Sequence, residues 1–195
     1  MGEMKSAWEK AMERAEQLGK PTQNELKQLK YIPEGNAIAG KYLQDDKYDL
    51  NLELAKYAGS EFRTYIIQGI SEIFMRNITL PHNEVDKKVT SRAMAGIKIV
   101  KENKKQLDTI YERINSLLSY YDQARQQTFA TFKKNFEEKI QETAKNIQQR
   151  QGGIGNLEIQ IQQQFQEEWR RTSAELDAQY NKALEEHKQQ LLKVT

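Results

Sequence analysis

The sequence contains no cysteine among its 195 residues and only three prolines. The absence of cysteine excludes disulfide bonds, thiolate metal sites and cysteine-based catalysis. The small number of prolines leaves long stretches without the residue that most strongly interrupts a helix. The most apolar stretch, residues 65–75, is about half of the ~20 residues that span a bilayer, and it contains Gln68 and Glu72. This stretch predicts a buried helix.

The composition favours a helical molecule with a large surface. Hydrophobic residues make up 37% of the chain and charged residues 30%, while the net charge is only +2. Helix-forming residues are frequent, and the apolar fraction is low for a compact globule of this length. The balanced charge gives no overall electrostatic argument for nucleic-acid binding. No apolar core of a signal peptide follows the first residues, so we expect a cytoplasmic protein.

Apolar residues at three- and four-residue steps predict an amphipathic helix over residues 4–18. Thr22 and Glu25 form a capping-box pattern, which predicts a short helix to about Leu29 that buries Leu26 and Leu29. Pro33 suits the first turn of the next piece. The apolar residues of the helix predicted over 4–18 are Met4, Ala7, Trp8, Ala11, Met12, Ala15 and Leu18.

The segment from 31 to 43 carries Gly35 and Gly40, which predict a short or irregular helix there. A strong helical pattern runs from about Leu50 to Ile78, and Pro81 ends it. Asn83 is a predicted N-cap for the helix that follows.

Two long apolar stripes predict a helical hairpin. The first runs over 84–150 without proline, and the second runs over 157–194. Their repeats of about 3.6 and 3.7 residues are typical of nearly straight helices. Because a lone helix of this length cannot bury its stripe, we expect the chain to reverse at about Ile154, placing Phe165 near residue 143 and Trp169 near 139–140.

The predicted fold class is therefore all-α. A small helical head occupies residues 1–110, including the base of the long helix, and an antiparallel, coiled-coil-like hairpin arm occupies residues 111–195. The tip of the hairpin is predicted at Gly152–Gly155.

The glycine-rich stretch at 152–155 raises the question of a phosphate-binding loop. The residues before it are polar and helical, and no Lys-Ser or Lys-Thr pair follows it, so the requirements of a P-loop are not met. A tight turn between helices explains the glycines without a ligand. The functional alternative is a contact tip at which Ile154, with Leu157, binds a partner.

The sequence offers no catalytic or metal-binding pattern. Only two histidines are present: His82 follows a proline in a loop, and His187 lies on the inner stripe, where a polar layer is expected. No spacing typical of a nucleophile, a metalloprotease or a di-iron bundle is found. We therefore expect no catalytic residues, no metal, no cofactor and no enzymatic activity.

Residues 81–106 carry seven basic and three acidic side chains. Lys87, Lys98, Lys101 and Lys105 lie approximately on one helix face, which could contact phosphates, although a solvated face is the simpler interpretation. Aromatic residues along the arm are numerous for one partner helix to cover, so we expect a dimer in which two arms form a four-helix bundle. These residues are Tyr120, Tyr121, Phe129, Phe132 and Phe136.

The segments "MKSAWEKAMERAEQLGKPT" (4–22) and "YIPEGNAIAGKYL" (31–43) resemble the opening of a family of short, uncharacterised bacterial helical proteins. The resemblance covers residues 4–43 and implies a bacterial cytosolic protein, but no activity and no site residues. The two stripes and the absence of a catalytic pattern favour a non-enzymatic interaction or scaffold protein. A nucleic-acid-associated protein that uses the basic face 87–105 is the alternative.

Overall fold

A computed structural model describes the backbone of residues 22–148 and 157–194, with the side chains of 143–148 and 157–158 left out. These residues contain six helices and no strand, which confirms the all-α prediction. The predicted helix at 4–18 and the predicted tip at Gly152–Gly155 lie outside the described residues. The helices are α1 (Gln23–Gln44), α2 (Leu50–Ala55), α3 (Arg63–Asn77), α4 (Glu84–Val100), α5 (Lys104–Gln148) and α6 (Leu157–Leu192).

Internal contacts divide the chain into two compact units, one ending at Arg76 and the other beginning at Asn77. The first unit contains α1, α2 and nearly all of α3, and the second contains α4, α5 and α6. The predicted division into a head (1–110) and an arm (111–195) stays a prediction.

Helix α1 begins as predicted but does not end where predicted. The Thr22 hydroxyl accepts a hydrogen bond from the Glu25 N–H and the Glu25 carboxylate accepts one from the Thr22 N–H, so the capping box is confirmed. The helix continues through Pro33 to Gln44, and the prediction of a short helix to Leu29 was wrong. Tertiary packing of the buried residues beyond Pro33 outweighs the cost of a proline inside the helix.

The predicted burial of Leu26 and Leu29 was also wrong, because these side chains are 51% and 71% exposed. The residues that α1 buries lie on its other face: Gly35, Ile38, Ala39 and Tyr42.

The single helix predicted over 50–78 is two helices, α2 and α3. Gly59 lies between them with φ +74°, a left-handed conformation that glycine adopts readily. The Asp49 side chain caps α2 by accepting hydrogen bonds from the N–H groups of Asn51 and Leu52. A positive φ is incompatible with a continuous right-handed helix, which is why the helical pattern failed here.

Helices α1 and α3 approach each other backbone to backbone at two glycines. A Cβ on Gly35 would collide with the Ile66 carbonyl, and a Cβ on Gly69 would collide with the Ile32 carbonyl. Ile38 and Ala39 of α1 are buried, as are Ile66, Ile70 and Phe74 of α3, and the Tyr42 and Phe74 rings of the two helices lie 5.4 Å apart. The two glycines therefore hold the core of the first unit together.

We predict that Gly69→Ala lowers the free energy of unfolding by ~1–3 kcal/mol, because the backbones must separate to admit the methyl group. The matched control is Gly40→Ala in α1, where a Cβ meets nothing within 4 Å. This control gains up to about 1 kcal/mol from the better helix propensity of alanine. Urea unfolding of both variants measures the difference, and equal stabilities would contradict the close approach.

The single helix predicted over 84–150 is interrupted at residues 101–103. Asn83 caps α4 as predicted, by accepting a hydrogen bond from the Asp86 N–H. Lys101 then takes an extended conformation (φ −95°, ψ 147°), and the Asn103 side chain accepts a hydrogen bond from the Gln106 N–H at the start of α5. The prediction was wrong because asparagine competes for backbone groups and starts a new helix.

Helices α5 and α6 pack against each other in antiparallel directions. Tyr121 contacts Asp177, and Phe129 contacts Trp169. Residues later in α5 thus contact residues earlier in α6, as in an antiparallel pair. The predicted register was wrong, because Phe165 lies beside Phe132 and Phe136 (ring centroids 5.0 and 5.1 Å) and not near residue 143. The offset is roughly two to three helical turns. The aromatic rings of the two helices pack on one another, and these contacts define the observed register.

Candidate interaction surface and polar junction

Five aromatic side chains meet between α5 and α6, and we call them the aromatic cluster. The ring centroids of Phe129 and Trp169 lie 4.9 Å apart, edge to face, and those of Phe132 and Trp169 lie 5.5 Å apart. These separations are in the range that aromatic pairs favour. The members are Phe129, Phe132, Phe136, Phe165 and Trp169.

Two helices cover the aromatic cluster only in part. Phe136 is buried, whereas Phe129 is 39% exposed and Phe132, Phe165 and Trp169 are half-buried. Single apolar residues are often exposed on protein surfaces. Several exposed apolar residues next to one another are instead typical of a binding surface. The cluster is therefore the candidate interaction surface of the second unit.

The polar residues around the cluster carry both signs of charge. Lys139 forms an ion pair with Glu168 across the two helices at 2.8 Å. This contact, followed by the hydrogen bond from Gln164, lowers the pKa of the Glu168 carboxyl from its ordinary value. Lys133 and Lys134 lie 3.9 Å from Glu137 and Glu138 along α5. Since both signs are interspersed, the surface presents no single-sign field to a phosphate backbone.

A second polar site joins the segment before α4 to both long helices, and we call it the polar junction: His82, Tyr121, Arg125 and Asp177. The Tyr121 hydroxyl donates to Asp177 Oδ1 at 2.6 Å and lies 3.3 Å from His82 Nδ1. His82 Nε2 lies 3.9 Å from Asp177 Oδ2, and Arg125 donates to the His82 carbonyl at 3.1 Å. Three chain segments thus meet at one hydrogen-bond network.

Tyr121 is the centre of the polar junction and is fully buried. Burial first, and then the hydrogen bond to Asp177, raises the pKa of its phenol well above the ordinary value. The hydroxyl therefore remains protonated and acts as a hydrogen-bond donor. The hydrogen bond from the buried Tyr121 to Asp177 therefore helps to position α5 against α6.

Sequence reasoning placed His82 in a loop but missed the junction. Tyr121 was predicted on the inner stripe, where an apolar contact was expected. Asp177 lies 56 residues after Tyr121 in the sequence, so their contact depends on the register of α6 against α5. Only the correct register would have brought the two side chains together. His187, predicted as a polar layer, is half-buried and lines a shallow groove of about 480 Å³ with Arg113 and Tyr120.

The four lysines predicted as a phosphate-binding face differ in their surroundings. Lys87 lies 2.9 Å from Glu84 and 3.3 Å from Asp122, and Lys98 forms an ion pair with Asp108.

Of the remaining two lysines, Lys101 lies in the break between α4 and α5, and Lys105 lies in the first turn of α5. Lys101 donates to the Val194 carbonyl, and burial lowers the pKa of its ammonium. Lys105 is exposed on α5. The carboxylates and the interrupted helix reduce the positive field that these side chains offer together.

A small apolar cleft of about 210 Å³ lies between α4 and α5, lined by residues that include Pro81, Met94 and Leu118. Among the side chains that the structure describes, no group of three or more His, Asp or Glu residues is placed to hold a metal ion. In the same part of the chain, no helix combines the length and the apolar character needed to cross a membrane.

The predicted contact tip can be placed only in part. Ile154 lies outside the described residues, and Leu157 begins α6 without a described side chain. The tip contact stays a prediction.

We predict that Tyr121→Phe lowers the free energy of unfolding by ~1–3 kcal/mol, because Asp177 loses its hydroxyl donor in a partly buried site. The matched control is Tyr180→Phe, since Tyr180 packs edge-on against Tyr121 but its hydroxyl lies 3.5 Å from the Tyr120 carbonyl. Removing a contact of this length is expected to change stability by less than about 0.5 kcal/mol. Thermal unfolding of both variants provides the comparison, and an unaffected Tyr121→Phe would refute the junction.

Comparison with known proteins places the chain in a family. The Family of unknown function (DUF6657) matches residues 52–193, which is most of the chain, and the chain belongs to this family. The match begins beyond the resemblance proposed at 4–43, whose bacterial origin and short length stay predictions. No curated protein and no solved structure matches significantly.

Proposed function

We propose that this member of a family of unknown function is a non-enzymatic helical interaction protein, acting as a scaffold, adaptor or assembly factor. The observation that carries the proposal is the incomplete cover of the aromatic cluster between α5 and α6, where Phe129 remains 39% exposed. Aromatic side chains are enriched at the anchor positions of protein interfaces. The proposed binding element is therefore the pair of long helices.

The character of the surface favours a protein partner. Its centre is aromatic, and its edge carries both Lys and Glu residues, such as Lys133 and Glu137. This pattern matches the apolar core and polar rim of a protein–protein interface. A nucleic acid would instead call for an excess of basic side chains along the surface.

We further propose that the partner at this surface is a second copy of the chain, giving a cytoplasmic, bacterial homodimer with a coiled-coil-like four-helix interface. A pair of helices about 50 Å long and about 20 Å wide offers roughly 1,000 Å² per copy. A standard interface needs about 800 Å² per partner. Because the rim carries both signs of charge, two copies can meet without a large like-charge penalty.

We predict that Phe129→Ser weakens self-association at least tenfold, because the most exposed described aromatic ring of the cluster is lost from the surface. The matched control is Leu52→Ser in α2, a side chain that is 68% exposed in the first unit. Sedimentation velocity over a concentration series measures both dissociation constants. A monomeric native chain, or equal weakening by both substitutions, would contradict self-association at this surface.

The alternative function is nucleic-acid association through the basic face 87–105, which the excess of seven basic over three acidic residues in 81–106 favours. Since Lys87 and Lys98 are engaged by carboxylates, Lys105 is the most accessible of the four predicted lysines.

We expect no salt-sensitive binding of DNA or RNA duplexes in a low-salt mobility shift. Binding that is lost in Lys105→Glu but kept in the control Lys134→Glu, whose lysine lies on the arm, would establish the alternative and overturn the expectation.

A further inference from the structure

Helix α1 has two apolar faces, which is unusual for a helix of a small unit. One face is buried in the first unit and contains Gly35, Ile38, Ala39 and Tyr42. The opposite face carries exposed apolar side chains, with Leu26 51% and Leu29 71% exposed. A surface helix normally presents polar residues on the side away from the core. We therefore expect another protein segment to pack on this second face.

The exposed residues form one continuous stripe along α1, and we call it the α1 stripe: Leu26, Leu29, Pro33, Ala37 and Gly40. At about 100° per residue they fall within a sector of about 80°, centred opposite to the buried face. Pro33 and Ala37 are exposed, and a Cβ on Gly40 would meet nothing within 4 Å. Large side chains thus occupy the first half of the stripe, and small ones occupy the second half.

The chain immediately before α1 has the sequence to cover this stripe. Residues 4–18 carry the apolar pattern of an amphipathic helix, and they are followed by Gly19 and Pro21 before the cap at Thr22. A connection of about four residues is typical of neighbouring antiparallel helices. Residues 4–18 and the α1 stripe each span about 21 Å at ~1.5 Å per residue.

We propose that residues 4–18 dock on the α1 stripe as an antiparallel helix, which completes the first unit. These residues lie outside the described part of the chain, so their own sequence and the described face of α1 carry the proposal.

The side-chain volumes set the register. Opposing residues have numbers that sum to about 44 across this turn, which places Ala15 on Leu29 and Leu18 on Leu26. The same register places Trp8 on Ala37 and Met4 on Gly40.

A large residue thus meets a small one at the pairs Ala15–Leu29, Trp8–Ala37 and Met4–Gly40, as close packing requires. Next to the turn, Leu18 and Leu26 form a pair of two large apolar side chains. The other side of the segment carries charged residues such as Glu13 and would face solvent.

Because the chain contains no cysteine, engineered cysteine pairs test the docking directly. We expect Ala15→Cys with Leu29→Cys to form an intrachain disulfide in the full-length protein under mild oxidation. The matched control is Glu13→Cys with Leu29→Cys, in which the first cysteine lies on the opposite side of the same helix and is expected to stay reduced. Mass spectrometry and non-reducing gels distinguish intrachain from interchain products.

A second measurement does not depend on cysteine. In a Trp169→Phe background, Trp8 is the only tryptophan, because the chain has two. We expect blue-shifted Trp8 emission that shifts to the red and becomes more accessible to acrylamide in Leu29→Glu. The control Leu52→Glu, at another exposed leucine of the first unit, should leave the emission unchanged.

The proposal is overturned by any of three results. An interchain disulfide would show that a second copy covers the α1 stripe. Equal intrachain oxidation of both cysteine pairs would show that the segment has no fixed face toward α1. Trp8 emission that is already water-like in the Trp169→Phe background would show that the segment is undocked.

Discussion

The packing of α5 against α6 is the constraint on which the second unit depends. Helix α5 is 45 residues long and α6 is 36 residues long, and neither can bury an apolar stripe without a partner. Their register brings Tyr121 to Asp177 and the phenylalanines of α5 to Phe165 and Trp169. One register thus creates both the polar junction and the aromatic cluster. The hydrogen bonds join the two helices, and the rings of the cluster remain partly exposed.

The packing of the first unit depends on a different interaction, the close approach of two helix backbones at Gly35 and Gly69. Glycine costs helix propensity, but here it allows α1 and α3 to bury Ile66 and Ile70 completely. The same helix α1 presents a second apolar face outward. Each unit therefore combines a tightly packed side with an incompletely covered one, and both uncovered sides are apolar helix surfaces.

Local patterns predicted the helical class and the starts of α1 and α4, while long-range packing determined the rest. Thr22 and Asn83 were predicted as N-caps because capping chemistry is contained within four residues. The breaks at Gly59 and Asn103 were missed, since the apolar pattern continues through both. The register of α5 on α6 was wrong because an assumed reversal point ignored where the aromatic rings pack. The polar junction could not be predicted without that register.

We propose that a second copy of the chain covers the aromatic cluster. The absence of native cysteine allows a single spin label at Thr131→Cys, an exposed position of α5 beside the cluster. Double electron–electron resonance on this singly labelled chain detects only labels on different copies. We expect a defined interchain distance whose signal disappears on dilution with unlabelled protein. A background decay with no dipolar modulation, at concentrations where the labelled protein stays folded, would contradict it.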